Sequence, residues 1–213
     1  MSHNPYSPPR AQVDGAEETS PFDFSPTTHY SLTPQQLWWA GLCCVIGLAL
    51  TPLYIYFESV KTAMPEFRSA AMVTLFVLTG LSIYSNIILK KLLTEKSRYR
   101  GANLGISLYI LASIVSTLAE PFIDHGDALF TPLSIAELVL FGALTIYLGL
   151  KLLRCEDPLF GQMKLIAYLT IAMGIATASV LLVLLAILFS FPMAIAMAKM
   201  FFRASRALER VQA

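Results

Sequence analysis

One carboxylate, Glu137, lies inside a long apolar segment of this 213-residue chain. Placing a carboxylate at the centre of a bilayer costs about 2.5 to 3.5 kcal/mol, so such residues often serve in proton or ion coupling. Glu137 follows Thr131 by about 9 Å along a helix, where water or the positive helix end can also stabilise the charge. The sequence therefore permits a coupling carboxylate and an interhelical hydrogen-bonding carboxylate, and it favours the second.

A second group of ionisable residues falls in one short polar segment, at Glu120, Asp124, His125 and Asp127. Carboxylate oxygens and an imidazole could hold a divalent cation weakly. Their spacing matches no defined ligand loop, and an acidic outer loop is what the positive-inside rule predicts in any case. We therefore expect no metal site and regard the four residues as weak candidates.

Known catalytic patterns are absent from the sequence. His3, His29 and His125 all lie outside the apolar segments, so an intramembrane Ser–His pair cannot form. The apolar segments contain no Asp, and the chain has no HExxH, GxSxG or GxGxxG motif. We predict that the protein is not an enzyme and needs no cofactor.

The composition is that of an integral membrane protein. Hydrophobic residues make up 56% of the chain and charged residues 14%, with a mean hydropathy of +0.63. Residues 165–198 carry no charged side chain; as one helix they would measure about 51 Å, against a hydrocarbon core of about 30 Å. We predict an all-α polytopic membrane bundle of six transmembrane helices, over residues 35–57, 69–89, 102–119, 131–153, 164–181 and 186–203.

The distribution of basic residues favours six spans over five. With six spans, Lys61 and Arg68 face one side and every other Lys and Arg faces the opposite side, as expected for cytoplasmic termini. The alternative has five spans and an interfacial helix over residues 192–213, which divides the charges more evenly. A turn near residues 182–185 is the weak point of six spans, because neither Gly nor Pro marks it. The net charge of +1 gives no indication of nucleic-acid binding.

Thr33, Pro34 and Gln36 indicate where the first helix begins. This spacing predicts an N-cap, a proline at the first helical position and a glutamine that completes a capping box, with Leu32 and Leu37 placed as a hydrophobic staple. The predicted domains are a disordered Pro-rich tail over residues 1–32, the bundle over residues 33–203, and a short basic tail over residues 204–213.

Small residues recur at positions that let helices approach closely. Gly101 and Gly105 have GxxxG spacing, and Gly174 and Ala178 repeat small side chains at the same interval. We expect these faces to pack within one bundle rather than between two copies, and the sequence leaves the oligomeric state open.

The tail opens with Asn4-Pro5-Tyr6-Ser7-Pro8-Pro9-Arg10-Ala11. This opening resembles the NPYxPPxA start of uncharacterised proteobacterial multi-span inner-membrane proteins. Residues 150–206, with Pro158-Leu159-Phe160-Gly161 near their start, resemble the last hairpin of such proteins. The resemblance implies a bacterial inner-membrane location and brings no active site, whereas the expectation that both termini are cytoplasmic comes from the distribution of basic residues.

A docking role is the main functional expectation. A motif of Asn4, Pro5, Tyr6, Pro8 and Pro9 could bind an aromatic-lined groove in polyproline conformation. We therefore expect a non-enzymatic accessory or scaffold protein that contacts the lipid bilayer and a cytoplasmic or membrane partner. The alternative is a small proton- or cation-coupled transporter or channel that uses Glu137, together with Asn86 and the acidic loop.

Overall fold

A computed structural model describes residues 24, 30–60, 63–64, 66–120, 132–156, 159–179 and 182–212. The all-α prediction is confirmed: these residues form six helices and contain no strand. The helices are α1 Pro34–Val60, α2 Phe67–Glu95, α3 Asn103–Ala119, α4 Pro132–Leu153, α5 Met163–Ala178 and α6 Val183–Gln212.

The first helix begins at the predicted capping box. The Gln36 amide donates to Thr33 Oγ1 at 3.2 Å, and the Thr33 amide donates to Gln36 Oε1 at 3.2 Å. Leu32 and Leu37, the two staple residues, are both fully buried. Because these pairs satisfy donors that the first turn would otherwise leave unpaired, α1 starts at Pro34.

The six helices form a closed ring in which each helix packs against its two neighbours in sequence and α6 returns to α1. Neighbours run antiparallel. Between α1 and α6, for example, Ser205 Oγ donates to the Pro34 carbonyl at 2.9 Å, so the start of α1 lies beside the last turns of α6. This end of the ring contains the starts of α1, α3 and α5 and the ends of α2, α4 and α6. We call it the core end. The opposite end is the far end.

The outer surface of the ring is apolar. Leu140 is 70% exposed and Leu184 is 72% exposed, and other large aliphatic side chains on every helix are similarly uncovered. Four helices, α1, α2, α4 and α6, are long and apolar enough to cross a bilayer. The helices α3 and α5 have 17 and 16 residues, about 25 and 24 Å, which is short of a core of about 30 Å.

The main packed core lies at the core end. Large side chains from all six helices interlock there, with Leu32 and Phe24 from the segment before α1; the fully buried ones include Leu92, Leu152, Met163, Met200 and Phe201. Tyr99 joins this region from the connection between α2 and α3, where its hydroxyl donates to the Lys151 carbonyl at 2.7 Å. Burial raises the pKa of that hydroxyl.

Helices α4 and α5 approach through their glycines. A Cβ at Gly142 would lie 2.5 Å from the Ala178 amide nitrogen, and a Cβ at Gly174 would lie 2.7 Å from the Ile146 nitrogen. Only a residue without a side chain fits at either position, so the small residues Gly174 and Ala178 pack within the bundle as expected.

The uncharged run 165–198 is divided between two helices rather than forming one. Helix α5 ends at Ala178, and the Leu182 amide donates to Ser179 Oγ at 3.2 Å before α6 begins at Val183. The break therefore lies slightly earlier than residues 182–185, at a serine that closes the turn with its own side chain. The two helices then pack antiparallel: Thr170 Oγ1 lies 3.8 Å from Met193 Sδ, and Arg203 lies beside Phe160.

At its other end α6 continues to Gln212, past the predicted boundary at residue 203. Ala204, Ser205 and Leu208 are buried among the neighbouring helices, so these turns belong to the core end of the bundle. The packing of this last segment has a simple cause: its apolar residues repeat every three or four positions and face the ring.

Candidate functional site

A cavity of about 210 Å³ lies inside the ring and receives side chains from all six helices. Its lining residues are mostly small, hydroxyl-bearing or sulfur-bearing: Cys43, Cys44, Gly47, Thr51, Leu78, Leu81, Ser82, Ser85, Asn86, Tyr109, Thr145, Leu148, Thr170, Met173, Met193 and Met197. No Asp, Glu, Lys, Arg or His is among the described residues that line it. The ring thus encloses a neutral, partly polar space between apolar outer faces.

Four hydroxyl groups of the cavity donate to backbone carbonyls of their own helices. Thr51, Thr145 and Thr170 each donate to the carbonyl four residues earlier in the same helix, at 2.8, 2.8 and 2.7 Å. Ser85 does the same toward Leu81 at 2.9 Å. Because the protons point back at the helices, the oxygens present lone pairs to the cavity. Such a wall can accept hydrogen bonds from water or from a small polar molecule.

Asn86 adds an amide to the same wall. Its side-chain nitrogen donates to the Ser82 carbonyl at 2.9 Å and approaches Ser82 Oγ at 3.4 Å, on its own helix. The neighbouring residue Ser85 lies against α1, 3.7 Å from Cys44 Sγ. The Ser85–Cys44 contact joins α2 to α1, and none of these groups is charged. The arrangement has hydrogen-bonding capacity, and it contains no acid–base pair among the described lining residues.

Glu137 lies elsewhere, between α3 and α4. It is half-buried, and Ser116 Oγ on α3 donates to its Oε1. On the same side of the ring, Thr79 on α2 and Thr117 on α3 share a hydrogen bond of 2.8 Å. Glu137 is not among the residues that line the central cavity. The structure therefore brings Glu137 into an interhelical hydrogen bond and not beside Asn86.

The four acidic-loop candidates are only partly described. Glu120 follows the last turn of α3, whereas Asp124, His125 and Asp127 lie outside the described residues. Within the described ranges, no group of three His, Cys, Asp or Glu side chains could hold a metal ion. Because only Glu120 of the four candidates is described, the structure does not test whether they lie together.

The segment that leads from the tail into α1 is attached to the bundle. Glu95, at the end of α2, accepts hydrogen bonds from the Ser31 amide at 2.9 Å and the Leu32 amide at 3.2 Å, and the Ser31 hydroxyl also donates to it. A charged acceptor of this kind strengthens each bond relative to a neutral one. Residues 31 and 32 are thereby fixed to the core end.

Phe24 is a second point of attachment. It is 1% exposed, its ring packs edge-on to Tyr30 at 4.8 Å, and it lies 6.3 Å from the Phe160 ring. The Lys96 ammonium stands 5.1 Å from the Phe160 centroid and 5.9 Å from that of Phe24. The docking motif itself, Asn4, Pro5, Tyr6, Pro8 and Pro9, lies outside the described residues.

Sequence reasoning missed Glu95 and Phe24 as attachment points. Glu95 is separated from Ser31 by 64 positions, so no local pattern links them. Phe24 offered one signal, a large aromatic residue in a proline-rich segment that is otherwise poor in apolar side chains. The cavity was also missed, since its hydroxyl groups are spread over several helices that are distant in sequence.

No known protein family, curated protein or solved structure matches this chain. The functional argument therefore depends on the geometry of the ring, its cavity and its attached amino-terminal segment.

Proposed function

We propose that the protein is a six-span bacterial inner-membrane protein with its core end and both termini in the cytoplasm. The charge distribution supports this orientation: among the described residues, every Lys and Arg except Arg68 lies at the core end. The antiparallel ring supports an even number of crossings, because α1 begins and α6 ends at the same end of the bundle.

The short helices α3 and α5 are compatible with six crossings. A helix several ångströms shorter than the hydrocarbon core is accommodated by local thinning of the bilayer, at a modest cost. The rival arrangement, with five spans and an interfacial carboxyl-terminal helix, would have to pull α6 away from α1 and α5. The contacts of Ser205 with Pro34 and of Arg203 with Phe160 oppose that separation.

Within this architecture the protein acts as a non-enzymatic accessory or scaffold protein whose NPYxPP motif docks a partner. One observation carries this proposal: the root of the tail is held at the core end by Glu95 and by the burial of Phe24. A tail attached in this way limits how far its motif can lie from the bundle. From Phe24 back to Tyr6, a polyproline-like chain would reach at most about 56 Å.

The neutral cavity also supports a non-enzymatic role. The hydroxyl groups of Thr51, Thr145 and Thr170 donate to backbone carbonyls, and the described lining holds no charged residue to activate them. Nucleophilic or acid–base catalysis needs such an activating partner.

The docking role is tested with a photocrosslinking amino acid at Tyr6 of the full chain in native membranes. We expect one dominant crosslinked protein, lost when Pro8 and Pro9 are both changed to Ala. The matched control changes Pro21 and Pro26 to Ala, which removes two tail prolines outside the motif. An adduct pattern that is the same in all three chains would refute docking through the motif.

Transport of a small molecule is the second candidate, and the central cavity favours it. Glu137, the coupling carboxylate expected from the sequence, lies outside the described cavity lining. The two candidates separate in a phenotypic assay that compares Glu137→Gln with deletion of residues 2–10. Loss of function only in the deletion supports the scaffold, whereas loss only in Glu137→Gln supports coupled transport.

A further inference from the structure

A groove of about 450 Å³ runs along the outer surface between α1 and α6. It adjoins the central cavity at Cys44, which lines both. Its walls are apolar: Val45 and Leu48 come from α1, and Ala194, Ile195 and Ala198 come from α6. Val45 and Ile195 are well exposed, which places the groove on the face that meets lipid. Ala194 and Ala198, one turn apart, leave the depression because their side chains are small.

The groove ends in a basic rim at the core end. Lys199, Arg203 and Arg206 line it and are all exposed, and their spacing of four and three residues places them on one face of α6, over about 10 Å. Arg203 donates to the Phe160 carbonyl at 3.0 Å, which steadies its guanidinium. Lys199 and Arg206 make no ion pair with another residue in the described part of the chain. The described lining contains no acidic side chain.

Aromatic residues indicate the depth at which this rim lies in the bilayer. Phe202 lines the groove, and its ring lies 6.4 Å from Trp38, which is exposed on the neighbouring turn of α1. Trp at a helix end is typical of the headgroup region of a bilayer. From Ala194 to Arg206 the groove follows α6 for about 18 Å, close to the half-thickness of about 15 Å of one leaflet.

From this geometry we infer that the groove is a binding site for an anionic phospholipid of the leaflet that meets the core end. One acyl chain lies against Leu48, Ala194 and Ala198, and the phosphate lies between Lys199 and Arg206. Basic pockets between membrane helices bind anionic headgroups in this way. A second copy of the chain is a poorer occupant, because the three cations would repel the same three cations of the other copy. The inference needs a membrane-embedded bundle but not a docking role for the tail.

The test is native mass spectrometry of the purified full chain in detergent, with added phosphatidylglycerol, phosphatidylcholine of the same acyl chains, or inorganic phosphate. We expect one retained phosphatidylglycerol and weaker retention of phosphatidylcholine. The double substitution Lys199→Gln and Arg206→Gln is expected to weaken phosphatidylglycerol binding about tenfold or more. The matched control, Lys91→Gln and Arg100→Gln, removes two exposed charges from the same end and should bind as the unchanged chain does.

A second variant separates the groove from the charges. Ala194→Phe fills the apolar part and leaves the rim intact, so it should also lose the lipid; the melting temperature of each variant reports whether the bundle is folded. Equal retention of both lipids would overturn the inference, as would equal loss in the Lys91 and Arg100 control. Binding of inorganic phosphate in place of lipid would overturn it too. A dimer without bound lipid would assign the groove to a second copy and contradict it.

Discussion

The two ends of the ring are built differently. At the core end, large side chains such as Leu92, Met200 and Phe201 are fully buried. The buried residues toward the far end are small or carry hydroxyl groups, as Ala71 and Thr117 do. Lipid is as apolar as a leucine side chain, so burial from lipid gives helices little reason to associate, and packing detail decides where they hold together. The comparison indicates that the core end fixes the fold, while the far end is joined by close backbone approach and single hydrogen bonds.

The largest expected effect comes from Leu92→Ala at the core end. Leu92 is 0% exposed, so removing its side chain leaves a cavity and should lower the free energy of unfolding by about 2–4 kcal/mol. The same substitution at Leu184, which is 72% exposed at the far end, should change it by less than about 0.5 kcal/mol. Denaturation of both variants in mixed micelles measures the difference. Equal losses of unfolding free energy in the two variants would show that the two ends do not differ in packing.

A smaller effect is expected where α4 and α5 meet. Gly142→Ala places a Cβ 2.5 Å from the Ala178 nitrogen, so the helices must separate, at a cost of about 1–3 kcal/mol. Gly80 has no atom within 4 Å of its Cβ position. Gly80→Ala should therefore be neutral or stabilise the protein by up to about 1 kcal/mol, through its helix propensity. The readout is the melting temperature in detergent; a stabilising Gly142→Ala would show that close approach is not what joins these helices.

The smallest effect is local and concerns the attachment of the tail. Glu95→Ala removes the acceptor for the Ser31 and Leu32 amides, which should cost about 1–2 kcal/mol locally. Hydrogen exchange at these two amides should become about 5- to 30-fold faster, with little change in global stability. Glu156→Ala, an exposed carboxylate at the same end, is the control. Unchanged exchange in Glu95→Ala would mean that Phe24 and Leu32 hold the segment without Glu95.

The sequence predicted those parts of the fold that depend on contacts between residues close together in the chain. The capping box of Thr33 and Gln36 fixes the start of α1 through bonds between residues three apart. Apolar run length predicted where helices occur, because each long helix needs an unbroken apolar surface. The break between α5 and α6 was harder to locate from the sequence. The turn is closed by the side chain of Ser179, and the described residues of the turn include neither glycine nor proline, the usual turn residues.

The remaining features depend on contacts between distant residues. The missing side chain of Gly41 lets the aromatic ring of Phe202 on α6 lie against α1; a Cβ at Gly41 would be 2.8 Å from that side chain. The central cavity brings together hydroxyl groups from several helices, and the groove needs α1 beside α6. The sequence drew attention to Glu137, but its hydrogen-bond partner Ser116 lies on another helix and could not be inferred. Six crossings and the cytoplasmic location stay predictions.

The most direct test of the account is the side of the membrane that each end of α6 faces. Alkaline phosphatase, which is active only outside the cytoplasm, and green fluorescent protein, which fluoresces only within it, are fused in turn after Leu182 and after Ala213. We predict active phosphatase after Leu182, at the far end, and fluorescent protein after Ala213, at the core end. Active phosphatase and no fluorescence after Ala213 would contradict six crossings with both termini in the cytoplasm.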